Sequence, residues 1–134
     1  MVGKNKLSDF INHMEYLGYE FEEYPDEKNT MLGGNGRFGP IWVRNGGGPT
    51  IIRTIIELDS SAKKQPLKFL YLVNQLNMSG RVAQYISHDN ALLIVAIYSG
   101  PYNKKSFGEF IDALHADILL AYEIDGIEQF AKVD

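Results

Sequence analysis

Histidine is the side chain whose ordinary pKa lies closest to neutral pH, which makes it the first residue to check for acid–base or metal chemistry. The chain has three, His13, His88 and His115. Asp9 and His13 are four residues apart, and Asp112 and His115 three apart. Both spacings put a carboxylate and an imidazole on one face of a helix. A zinc-type centre needs further ligands, and the sequence supplies none at a suitable spacing. There are no cysteines, which excludes thiolate nucleophiles, disulfides and cysteine-ligated metals. No serine stands in a G-x-S-x-G elbow. Glu22 and Glu23 are neighbours on an expected strand and point to opposite faces, so they are poor partners for acid–base work. The reading is of a protein that is not an enzyme and holds no metal and no cofactor.

Two weaker patterns remain. Gly34-Asn35-Gly36-Arg37-Phe38-Gly39 fits G-x-G-x-x-G, which in a dinucleotide site opens a helix. Here Pro40-Ile41-Trp42-Val43 follows, which reads as a strand, so the glycines are expected to form a loop. Such a loop could still wrap an anion or small ligand with backbone N–H groups, using Gly34, Gly36, Arg37 and Arg44. Trp42, Tyr71, Tyr85, Tyr98 and Tyr102 are interspersed with bases such as Arg53 and Arg81. Aromatics and bases on one sheet can stack single-stranded nucleic acid. The acidic pI of about 5.3 and the scatter of the bases favour packing instead, and nucleic acid is not the expected partner.

The elements that must position these residues follow from periodicity. Leu7, Phe10, Ile11, Met14 and Leu17 trace one face of a helix, with Ser8 as its cap and Gly18 as its stop. Residues 19–24 alternate aromatic and acidic, a half-buried strand. Residues 33–48 hold seven glycines. Within them residues 38–44 read as a strand that Pro40 places at a sheet edge or bulge. Asn45-Gly46 is a hairpin turn, and residues 50–58, rich in β-branched side chains, are the strand that pairs back. Pro66 suits the first turn of a helix, and residues 67–76 are apolar on more than one face. Such a helix is either central to its domain or shared with a second copy. Residues 81–87 and 91–98 are strands around an Asp89-Asn90 turn. Ser106 and Glu109 form a capping box for a long amphipathic helix. Gly126 breaks or bends that helix, and residues 127–133 form a short tail helix.

The resulting order is α-β-β-β-α-β-β-α, an α+β domain with an antiparallel sheet and helices packed on it. The 134 residues suffice for one domain, residues 1–134, that buries roughly two-thirds of its unfolded surface. No run approaches the roughly 18 apolar residues of a membrane span, and no apolar leader follows Met1, so the cytoplasm is the expected location. The net charge of −4 is uneven. Residues 1–27 sum to −5, residues 28–108 to +7 and residues 109–134 to −6. Acidic helices flanking a basic sheet account for this without a polyanion.

Phe69-Leu70-Tyr71-Leu72-Val73-Asn74-Gln75-Leu76-Asn77, followed by two strands and a closing amphipathic helix, resembles the YbjN family, bacterial proteins assigned as candidate sensory transduction regulators. The V-N-x-x-N pattern is Val73-Asn74-Gln75-Leu76-Asn77. The element order also resembles that of class I type III secretion chaperones. The resemblance implies a non-enzymatic adaptor or chaperone-like regulator that holds a segment of a partner protein, and it implies a homodimer. Leu70, Leu72, Val73, Asn74 and Asn77 are the expected partner or dimer contacts, with Trp42 on the supposed edge strand. From spacing alone, Asn77 caps its helix and Asn74 bonds to backbone across a helix–sheet contact.

Overall fold

The computed structural model describes residues 7–88 and 91–130. Among these residues six strands form one antiparallel sheet in the order β1-β2-β3-β4-β6-β5. They are β1 (Glu20–Glu23), β2 (Thr30–Gly34), β3 (Ile41–Arg44), β4 (Thr50–Glu57), β5 (Ala83–His88) and β6 (Ala91–Tyr98). The helices are α1 (Leu7–Tyr16), the single turn α2 (Ser61–Lys64), α3 (Pro66–Ser79) and α4 (Lys104–Glu123), with a 3-10 turn at Ile127–Gln129. The α+β class and the order of elements stand, with β2 and α2 as additions.

β2 escapes the alternation test because it ends in two glycines. Gly33 faces Phe21 in register, and a Cβ there would collide with the Glu20 carbonyl oxygen and the Phe21 ring. The close approach of β1 therefore requires glycine. The new strand moves β3 from the edge, where Pro40 had placed it, to the interior of the sheet. Pro40 precedes the strand, where its missing N–H interrupts no ladder. The edges are β1 and β5. Two helix ends also differ from expectation. Ser8 lies inside α1, and the cap of α4 is Asn103, whose side chain accepts from the Ser106 N–H at 3.0 Å. Gly126, in the left-handed conformation at φ 97°, ends the passage from α4 and leads into the 3-10 turn. The Asp89-Asn90 turn and residues 131–133 of the expected tail helix lie outside the described residues.

Alternation sorts the central strands into two faces. Ile41, Val43, Ile52, Ile56, Leu92, Ile94 and Ala96 point to one side and are buried against α1, α3 and α4. Phe10, Tyr98, Tyr102 and Phe107 meet edge to face, at centroid distances from 4.9 to 5.9 Å, and tie α1 to the end of β6 and the start of α4. On the other face no helix packs among the described residues. There the β1–β2 connection folds back over β3 and β4. Tyr24 lies edge-on to Trp42, and Glu27 pairs with Arg53 and, at 3.5 Å, with Arg44. Arg53 also lies 5.7 Å from the Trp42 ring centroid.

One buried acid fastens the layers. Asp117 on α4 is 2% exposed. Its carboxylate accepts N–H bonds from Arg81 (2.9 and 3.0 Å), Val82 (2.8 Å) and Ala83 (2.9 Å), where the chain leaves α3 and enters β5. The Tyr85 hydroxyl donates to the Asp117 carbonyl at 2.6 Å. Burying a carboxylate is costly unless its lone pairs are filled, and here three consecutive backbone donors fill them. Asp117→Ala would leave the buried Ala83 N–H and the part-buried Arg81 and Val82 N–H groups unpaired, and is expected to lower stability by about 3 kcal/mol. Urea unfolding checks this, and a midpoint equal to wild type would refute the anchoring role.

Candidate interaction surface on helix 3

At 100° per residue the fourteen positions of α3 divide into opposed arcs. Phe69, Leu72, Val73 and Leu76 fall on one and are buried, each 5% exposed or less. Leu67, Leu70, Tyr71, Asn74 and Met78 fall on the other and face solvent. Leu67 is 81% exposed, Leu70 52%, Tyr71 66% and Met78 86%. Four large apolar side chains therefore form a ridge along the outside of a helix whose inner face is core. Shallow grooves flank the ridge. One, of about 430 Å³, runs past Ala62, Pro66, Phe69, Leu70 and Ser87. The other, of about 630 Å³, is bordered by Tyr71, Asn74, Met78 and Ile124. Gln75 Nε2 donates to the Tyr71 hydroxyl at 3.0 Å and steadies the ring.

The expected contacts separate accordingly. Leu70 and Asn74 lie on the ridge. Leu72 and Val73 point into the core and are closed to a partner. Asn77 has another task. Its Nδ2 donates to the Tyr85 carbonyl at 2.9 Å and its Oδ1 accepts the Tyr85 N–H at 2.8 Å. The amide thus pairs with the outer edge of β5 as a neighbouring strand would. This is the bond across a helix–sheet contact that was assigned to Asn74. The helix end itself is closed by the Gly80 N–H bonding to the Leu76 carbonyl at 2.8 Å. With Ala83 N–H held by Asp117 and Tyr85 by Asn77, the start of the β5 edge is plugged. The other edge, β1, is short and carries Glu20, Glu22 and Glu23, a charge pattern that discourages strand addition. Trp42 sits on an interior strand, half-buried beneath Tyr24 and Arg53, and its buried Nε1 makes no hydrogen bond.

The glycine-rich hairpin is built for its own closure. The Asn35 Oδ1 accepts from the Arg37 N–H at 3.0 Å and the Phe38 N–H at 2.7 Å, so donors that could cradle an anion are in use. Arg37 lies 5.2 Å from the Phe38 ring centroid. Gly34, Gly36 and Arg37 line a recess of about 290 Å³. Arg44 is at the far end of β3, paired with Glu27, so the two arginines are not brought together. The five aromatics of the basic middle are dispersed too. Tyr85 is core, Tyr98 and Tyr102 join the Phe10 cluster, Trp42 lies on the outer sheet face, and Tyr71 is on the ridge. Among the described residues no three His, Asp or Glu side chains are grouped to hold a metal ion, and no helix is long and apolar enough to cross a membrane.

The ridge residues Leu67, Tyr71 and Met78 were within reach of a helical wheel of residues 66–79. The crowding of leucines hid the fact that they form two arcs rather than one broad one.

His115 connects α4 to the hairpin. Its ring stacks on Phe38 at 4.3 Å, and its Nε2 is hydrogen-bonded to the Tyr19 hydroxyl at 2.7 Å. Burial pushes the Tyr19 hydroxyl up to about 12, so it stays protonated. Burial also holds the imidazole below its ordinary 6.5, Asp112 pulls it back up, and Arg37 adds to the lowering.

No family model matches the sequence, and no curated protein matches it. In fold the chain is similar to the crystal structure of YbjN from E. coli, a protein named as a candidate transcription regulator. The TM-score is 0.71, over 95% of this chain and 96% of that one, at 15% identity. The YbjN-like fold expected from residues 69–77 is thereby shown.

Two predictions come from this geometry. Asn77→Ala is expected to cost about 1–2 kcal/mol and, by exposing the β5 edge, to raise the tendency to aggregate. Unfolding midpoints and light scattering on heating test it, and no change in either would contradict it. The second concerns pH. The unfolded chain takes up the His115 proton near 6.5, whereas the folded chain resists it until lower pH. The imidazole's stabilising contribution is therefore full above 6.5 and is lost as the pH falls below it. His115→Gln keeps a partner for Tyr19 and should flatten this fall without abolishing it, because His13, lowered chiefly by burial, has the same sign. Urea midpoints above and below pH 6.5 decide it, and equal slopes for the two proteins would contradict it.

Proposed function

We propose that the protein is a non-enzymatic adaptor or chaperone-like regulator of the bacterial cytoplasm, which holds an apolar segment of a partner protein along the outer ridge of α3. The supporting observation is the ridge itself, with Leu67, Leu70, Tyr71 and Met78 in solvent on a helix whose other face is locked into the core. Single exposed apolar residues are ordinary, whereas a row of them along one helix face beside grooves, interrupted here only by Asn74, marks an interaction surface. Seating a partner's amphipathic helix or extended apolar segment there needs no rearrangement of the core. The plugged β5 edge and the acidic β1 edge favour side-chain docking on the helix over addition of a strand. The regulator reading is supported by the likeness of fold to YbjN, and the cytoplasmic one by the lack of cysteine.

Leu70→Asp combined with Met78→Asp is expected to abolish capture of the partner while changing stability by only a few tenths of a kcal/mol per site, as exposed substitutions do. Leu76→Ala, on the buried arc, is expected to cost about 2–5 kcal/mol. Pull-downs from cells of the source organism with wild type and the double variant, alongside urea unfolding, make the comparison. Retention of the same partners by a folded double variant would move the binding surface off α3.

A further inference from the structure

The outward side of α1 is not a plain solvated face. Asp9, Asn12, His13 and Tyr16, with Leu17 just past the helix, follow the i, i+3, i+4, i+7, i+8 spacing of one stripe, turned away from the buried Phe10, Ile11 and Met14. Across from the stripe stand Tyr102 and Lys104, where the chain passes from β6 into α4. Together they border a cleft of about 510 Å³, within the range of small-molecule sites. Its floor is fixed. His13 Nδ1 is hydrogen-bonded to the Tyr102 hydroxyl at 2.8 Å, and the imidazole stands edge-on to Phe107 at 5.1 Å. Its rim carries unspent chemistry. Among the described residues the Asp9 carboxylate, the Asn12 amide and the Lys104 ammonium have no hydrogen-bond or ion-pair partner. Tyr16 is 87% exposed and Leu17 41%. We infer that this cleft binds a free α-amino acid with an aromatic side chain.

The charges select the ligand. An acid and a base on two helices line one cleft without pairing. A simple anion would be drawn to Lys104 and repelled by Asp9, and a simple cation the reverse. A molecule with both charges close together satisfies both, its carboxylate on Lys104 and its ammonium on Asp9. The first turn of α4 carries no acidic residue, so the positive end of its dipole reinforces Lys104. Asn12 adds an amide that donates to the carboxylate or accepts from the ammonium. Burial and then Lys104 hold the His13 imidazole below its ordinary 6.5, against the pull of Asp112. The ring is therefore a neutral wall and not a second cation. No third ligand joins Asp9 and His13 to hold a metal ion among the described residues. The remainder of the lining is Tyr16, Leu17 and Tyr102, and aromatic rings of this kind take another ring by offset stacking or edge to face. The cleft shares no residue with the α3 ridge, so this inference stands apart from the partner reading.

An NMR titration of isotope-labelled protein with L-phenylalanine is expected to give saturable shifts centred on the amides of Asp9, Asn12, His13, Tyr102 and Lys104. Masking either charge should weaken binding by about tenfold or more, which L-phenylalaninamide and N-acetyl-L-phenylalanine test in turn. L-alanine, which keeps both charges and lacks the ring, should also bind more weakly. Asp9→Asn and Lys104→Gln replace exposed side chains. Each is expected to lower the affinity for L-phenylalanine to a similar degree with little change in the urea midpoint. Absence of saturable shifts at millimolar L-phenylalanine overturns the inference. Equal binding of L-phenylalanine and its two masked derivatives overturns it as well, as does an unchanged affinity in both variants.

Discussion

The Asp117 carboxylate meets the chain at the point where α3 has ended and β5 begins to pair with β6. Three consecutive N–H groups turn toward it. Residues 81 and 82 are a connection and Ala83 opens the edge strand β5, and their donors would otherwise have to face water or a neighbouring strand. By gathering them onto α4, the carboxylate holds the end of a helix, the start of an edge strand and the middle of the closing helix at one point. The Tyr85 hydroxyl returns the connection by bonding to the Asp117 carbonyl. Little adjustment is available to α3 once this joint is made.

The position of α3 follows from that joint and from Asn77, eight residues before Tyr85, whose amide stands in for the strand that an edge would otherwise recruit. The helix is pinned at its C-terminal end with Phe69, Leu72, Val73 and Leu76 inward. Its second apolar arc has no place inside and is left in water. A ridge of leucine, tyrosine and methionine on a pinned helix is pre-organised, so a partner docking there orders few side chains and no backbone. The outer sheet face obeys a related constraint. Its β2–β3–β4 part is occupied by the chain's own Tyr24 and Glu27, whereas the β4–β6–β5 part carries Ile55, Leu93 and Val95 half-buried.

Much of this was legible before the structure. The β-branched run of residues 50–58 read as a strand pairing back on its predecessor and the continuous apolar run of residues 91–98 as a central one, and they are the two longest strands described. The excess of apolar residues between 67 and 76 signalled a helix with two demands on it. What could not be read has a common cause. Each missed feature depends on a neighbour distant in sequence. Gly33 lies in a strand because the Phe21 ring and the Glu20 carbonyl leave no room for a side chain. Pro40 looked like an edge marker because nothing in residues 38–44 announces β2 on one side and β4 on the other. Asp117 reads as one more acid on an amphipathic helix until residues 81–83 are brought against it. Asn77 looked like a partner contact, and only the presence of the β5 edge shows that its amide is already spent.

Amide hydrogen exchange of the free protein reports most directly on the joint that sets the ridge in place. If Asp117 and Asn77 hold α3 to β5 and α4, the amides of Arg81, Val82, Ala83 and Tyr85 exchange only with global unfolding, as slowly as those in the centre of β6. Exchange of these four at the rate of an open connection, while β6 stays protected, would contradict it. The helix would then be free to move on its sheet, and the ridge would not be a fixed surface.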